Sequence, residues 1–153
     1  MSRSVSVFVC VIVLCFSGVL AAELPDYRIP DSQQVVAQAV HLRLDPSLDG
    51  YSGDTRITID VVKAANALSL HWLDLDVTHA VLIGDKSPRP LQSTAGEWDI
   101  HRLGDGETIE PGRYELSLTF KGAYSTDALG LYKAHVQDDA YLFTQYEMSL
   151  ARR

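Results

Sequence analysis

The residues best suited to hold a small polar ligand lie in Ala140-Tyr-Leu-Phe-Thr-Gln-Tyr-Glu147. Side chains alternate along an extended chain, so Tyr141, Phe143, Gln145 and Glu147 fall on one face of this segment. Two aromatic rings followed by an amide and a carboxylate would make one wall of a pocket. Glu147 suits an ammonium group, while Gln145 offers both a donor and an acceptor. Judged by pattern alone, a polar strand end reaching water accounts for the same residues more economically.

Other constellations are weaker. The five histidines are His41, His71, His79, His101 and His135. No pair has the H-E-x-x-H spacing that sets two zinc ligands on one helical face. Four of the five sit within alternating segments, where exposed or half-buried strand histidines are the ordinary outcome. Asp74 and Asp76 would share one face of a strand and could hold a cation or work as an acid/base pair, although solvated edge charges are far commoner. No G-x-S-x-G is present, nor any glycine-rich phosphate loop. From its own residues the chain carries no catalytic site and no metal site.

The N-terminus reads differently from the rest. Arg3 precedes an uncharged run from Val5 to Leu20, then Ala21 and Ala22, then the first acids and prolines at Glu23, Pro25 and Asp26. This order describes a secretory signal over residues 1–22, cut after Ala21 or Ala22, and implies export to the periplasm or the extracellular space. The competing reading is an uncleaved membrane anchor, because Val5 to Ala22 reaches the roughly 18-residue minimum for spanning a bilayer. Cys10 and Cys15 both lie inside the segment, so the processed chain has no thiol and no disulfide framework. Arg3 is the only charge removed with it. Thirteen basic residues become 12, against 20 acidic, a balance of −8. Such a balance argues against nucleic acid and anionic membrane surfaces as partners.

The elements that must position these residues read as strands. Residues 23–32, with Pro25 and Pro30, form an extended lead-in. Val40, Leu42 and Leu44 alternate with His41, Arg43 and Asp45. After a turn over Asp45 to Gly53, Ile57, Ile59 and Val61 alternate with Arg56, Thr58 and Asp60. Leu68, Leu70 and Trp72 alternate with Ser69 and His71, and Val77, His79, Val81 and Ile83 mark a further strand. Trp98 and Ile100 mark a short one. Tyr114, Leu116, Leu118 and Phe120 alternate most cleanly. Gly104-Asp105-Gly106 and Pro111-Gly112 read as turns, and no window has helical periodicity with caps. The expected fold is all-β, an antiparallel β-sandwich or saddle over residues 33–153.

Several pieces of the chain, taken in order, resemble one family. Tyr51-Ser-Gly53, Leu70-His-Trp-Leu-Asp-Leu75, Phe120-Lys-Gly122, Gly130-Leu-Tyr132, Thr144-Gln-Tyr-Glu147 and Ala151-Arg-Arg153 are similar to the N-terminal β domain of zinc aminopeptidases of the aminopeptidase N family. The resemblance covers nearly all of residues 30–153. It implies a β saddle that packs against a separate thermolysin-like zinc domain. By motif match, Glu147 would hold the free α-ammonium of a peptide substrate and Gln145 would line the first side-chain subsite. A fixed carboxylate there selects free N-termini and sets where the cut falls.

The family's G-x-M-E-N segment, its H-E-x-x-H motif and its third zinc ligand are absent from these 153 residues. The expectation is therefore a β domain incomplete at its C-terminal end, inactive alone, with zinc supplied by a missing catalytic domain that is also its partner. The alternative is a free-standing exported peptide-binding or structural module. Tyr141, Phe143 and Tyr146, left uncovered at a sheet edge, would favour self-association.

Overall fold

The computed structural model describes residues 28–146. The signal or anchor segment at 1–22, most of the lead-in and Glu147 lie outside them. Ten strands and no helix occupy the described residues: β1 (Gln33–Arg43), β2 (Gly50–Val61), β3 (Leu68–His71), β4 (Leu75–Ile83), β5 (Arg89–Pro90), β6 (Gln92–Ala95), β7 (Ile100–Gly104), β8 (Gly112–Ala123), β9 (Gly130–Val136) and β10 (Asp139–Gln145). Every strand pairing is antiparallel. The long sheet runs β1-β2-β8-β4-β5, a second sheet runs β3-β7-β6, and β9 with β10 forms a separate hairpin.

Period-two patterning explains the two longest strands. β2 and β8 pair over their full length, placing Ile57 opposite Leu116 and Ile59 opposite Tyr114. Side chains directly opposite in an antiparallel pair share a face, so Ile57, Ile59, Val61, Leu116 and Leu118 point the same way. That face packs on Leu68 and Leu70 of β3 and Leu103 of β7, with Leu82, Leu91 and Ile109 completing one buried cluster. The opposite face is polar. There Arg113 makes a bidentate pair with Asp60, with N–O distances of 2.7 and 2.8 Å, and Arg43 meets Asp54 at 2.8 Å.

A buried amide fastens the two layers together. Gln33, at the start of β1, is 7% exposed. Its Nε2 donates to the Ser69 carbonyl and its Oε1 accepts from the Ser69 N–H, both at 2.8 Å. The side chain thus acts as a short additional strand along the outer edge of β3 and satisfies backbone groups that burial would otherwise leave unpaired. Ser69 is buried for this reason, between Leu68 and Leu70; simple alternation would have turned it outward.

The sequence patterns fail in three further places. In β4 a bulge between Val77 and His79 changes the phase. Leu75 and Val77 face the core before it, Ala80 and Leu82 after it, while His79 is exposed and Val81 and Ile83 turn to the other face. Trp98 is in a turn, with φ of 61° at Trp98 and 60° at Asp99, and the short strand begins only at Ile100. β2 begins at Gly50 rather than after Gly53, shortening the expected turn. In β1 the alternation is right but cover is missing. Val40 and Leu42 lie opposite Thr55 and Gly53 on the core side, yet are 54% and 40% exposed.

Candidate functional site

The strand carrying Gln145 is held out from the sandwich as half of a two-stranded hairpin. Its register sets Gln145 opposite Gly130, Phe143 opposite Tyr132 and Tyr141 opposite Ala134. These residues make the outer face. Phe143 stacks on Tyr132 with ring centroids 5.5 Å apart and planes 23° from parallel. Tyr141 and Phe143 are each 46% exposed, and Gln145 is open to solvent. The shared face expected for Tyr141, Phe143 and Gln145 is therefore present; Glu147 lies outside the described residues.

The inner face explains why the hairpin stays in place. Leu131 and Lys133 lie opposite Thr144 and Leu142, and Leu131 is buried. Lys133 Nζ donates to the Leu48 carbonyl at 2.8 Å and to Asp49 Oδ1 at 2.9 Å, on the turn between β1 and β2. It also stands 5.8 Å from the centre of the Tyr124 ring. The Lys133 ammonium holds the Asp49 carboxyl below the usual range. The backbone adds two bonds, Ser125 N–H to the Leu131 carbonyl and Lys133 N–H to the Ser125 carbonyl. Tyr124 Oη accepts from Asp45 N–H at 3.1 Å and lies 3.2 Å from the Asp45 carbonyl, to which it donates. Sequence reasoning missed Lys133 and Tyr124. Neither belongs to a motif, and their partners are about eighty residues away, at separations of 84 and 79.

The remaining sequence candidates are not brought together. Asp74 sits in the turn before β4 with φ of 55°, so it does not share a strand face with Asp76. His41 lies beside Asp54 at 3.7 Å on the exposed polar face. His101 stacks on Trp72, with ring centroids 3.8 Å apart, and burial lowers its pKa. His79 and His135 are exposed on separate strands. Among the described residues no group of three or more His, Cys, Asp or Glu side chains could hold a metal ion. These residues do not fit the zinc that the resemblance implies for the enzyme.

The family model of the peptidase M1 N-terminal domain matches residues 28–153. The chain belongs to that family. Comparison with curated proteins finds no match. As a peptidase M1 N-terminal domain, the chain is part of the architecture of M1 aminopeptidases, and its layered β fold agrees with the expected sandwich. The family match includes the segment 147–153, which continues directly from the candidate strand.

Proposed function

We propose that this M1 N-terminal domain serves an exported zinc-dependent aminopeptidase that removes N-terminal residues from peptides. In that reading it supplies recognition of the substrate's free N-terminus and none of the zinc chemistry. The observation that carries the proposal is the outward face of β10, where Gln145 follows Phe143 and Tyr141 in a chain of this family. Glu147 is two residues further along the same sequence. Gln145 has an exposed amide at the end of an aromatic wall, and a carboxylate at Glu147 would complete a clamp for an ammonium group. Zinc, in the whole enzyme, would activate the attacking water; the described residues have no site for it, so no catalytic step is assigned to them.

The test uses the purified full chain. An unblocked dipeptide amide should shift the amide resonances of Tyr132, Phe143 and Gln145, and its Nα-acetylated counterpart should not. Glu147→Gln should weaken binding about tenfold, as for a charge-assisted hydrogen bond of roughly 1.5 kcal/mol or a little more. Equal binding of the acetylated peptide would overturn N-terminus recognition. Turnover of an aminoacyl chromogenic substrate by the chain with zinc, abolished by a chelator, would overturn the division of labour. Export is tested by N-terminal sequencing of the secreted product, which should begin at Ala22 or Glu23.

A further inference from the structure

At the base of the hairpin, where the chain enters β9, lies a cavity of about 570 Å³. Tyr51, Tyr124 and Tyr146 line it, together with Leu73, Leu129 and Asp74. Its walls are built by local geometry. The Tyr51 ring rests on Gly122, where a Cβ would come within 2.6 Å of the ring, so only glycine leaves room for it. Tyr124 is 6% exposed and is anchored through its hydroxyl to Asp45. The two rings sit 5.7 Å apart and 33° from parallel. Gly130, with φ of 67°, turns the chain into β9, and a Cβ there would come 4.0 Å from the Tyr146 ring.

The chemistry of the lining is one-sided. Leu73 and Leu129 keep apolar surface open to water, at 37% and 43% exposure. Among the described residues Asp74 is the only charged member of the lining, and none of the ion pairs among those residues includes it. Among the described residues the rings of Tyr51 and Tyr146 with one carboxylate complement a cation that carries an apolar stem, whereas the Tyr124 ring is buried and already has Lys133 Nζ 5.8 Å from its centre. A guanidinium fits better than an ammonium, because its plane stacks on aromatic rings and its fork matches a carboxylate. Its methylene stem would cover the leucines while the charged head meets the rim. We propose that this cavity binds the arginine side chain of a peptide, a reading that does not rest on recognition of the substrate's N-terminus.

Nα-Acetyl-arginine amide is the direct probe, since it has the guanidinium and no free N-terminus. Titrated into the ¹⁵N-labelled full chain, it should shift the amides of Ala123, Ser125, Thr126 and Gly130. The isosteric citrulline derivative should bind at least threefold more weakly. Asp74→Asn should weaken the arginine probe about fivefold, the combined scale of an exposed ion pair and a cation–π contact. Asparagine tolerates the left-handed backbone at this position as aspartate does, so the variant keeps the turn. Tyr146→Ser, at a residue 61% exposed, should weaken it two- to threefold. Asp76→Asn and Gln145→Ala should leave it unchanged. The proposal is overturned if arginine and citrulline probes bind alike, if Asp74→Asn has no effect, or if no amide shifts at tens of millimolar probe. Tighter binding of phenethylamine would assign the cavity to small amines and overturn the arginine reading.

Discussion

The sandwich and the β9–β10 hairpin are made of the same kind of strand and do opposite things with it. In the sandwich, alternating residues of β2, β8 and β4 are sealed by a second layer, and Ile59, Leu103, Ile109 and Leu116 have no exposed surface. In the hairpin the alternation is just as regular, yet its aromatic face points to solvent and its inner face rests on one leucine and one lysine. Burial is thus a property of what lies across from a strand, and period-two patterning reports only which side chains travel together. The first region holds the fold, and the second presents side chains. A two-stranded ribbon is marginal by itself, so the hairpin depends on Lys133, Tyr124 and the Ser125 backbone bonds for its place.

The widest gap between the regions should appear on truncating one side chain in each. Leu116→Ala, in the middle of the long sheet, should lower the unfolding free energy by about 2–5 kcal/mol. Phe143→Ala, whose ring is half in water, should cost about 1 kcal/mol or less, since little of its area is removed from solvent. Urea denaturation of both variants measures this, and similar losses would erase the distinction.

Next in size is the clip between layers. Gln33→Ala strands the N–H and C=O of Ser69 in a buried setting, and leaving such groups unmade costs about 1–3 kcal/mol. Gln33→Leu should lose as much despite its greater apolar volume. If leucine instead restores stability, the amide contributes bulk rather than hydrogen bonds.

How far the sequence revealed these regions varies by residue. Tyr114, Leu116, Leu118 and Phe120 alternate without interruption, and β8 follows them. The hairpin's outer face was legible for the same reason, because Tyr141, Phe143 and Gln145 are spaced by two. The facing of β4 was not, because a one-residue bulge reverses every side chain beyond it and leaves no mark on the composition of the strand. Gln33 and Ser69, 36 residues apart, share no signal in the sequence, and only the fold places one along the edge of the other. Lys133 carries no signal in the sequence, and its role appears only once the turn at Leu48 and Asp49 lies beneath it. Resemblance to a family supplied what spacing could not, a reason to regard Gln145 and Glu147 as more than a wet strand end.

A pH titration separates the regions more finely. Burial lowers the pKa of His101 below its ordinary 6.5, so the unfolded chain takes up its proton first. Stability from this residue is complete above that value and declines as pH falls through the lower folded pKa. His101→Phe should keep the stack on Trp72 and flatten that part of the profile. The carboxylates of Asp49 and Asp105 are depressed by Lys133 and Arg89 respectively. Their contributions hold above the ordinary aspartate value of 3.8 and fade only below it, as pH falls through the folded values. Loss between pH 7 and 5 that survives His101→Phe would point to another group.

The smallest effect on folding, and the most specific to the hairpin, concerns its uncovered aromatics. Tyr141 and Phe143 are each 46% exposed on the outer face and Tyr146, beside the cavity, is 61% exposed; exposed apolar surface of this kind is a site of association. The isolated chain should therefore self-associate, with the sedimentation-average mass rising with concentration. Tyr141→Ser with Phe143→Ser should return it toward a monomer while the unfolding midpoint moves little, because these rings contribute little buried area. β1 offers a rival explanation, since Val35, Val40 and Leu42 are also exposed along a sheet edge that has no lysine or proline to block pairing. Val40→Lys places a charge on that edge alone. If it disperses the chain and the double serine variant does not, association belongs to the sandwich edge, and the hairpin's outer face is free to meet a peptide.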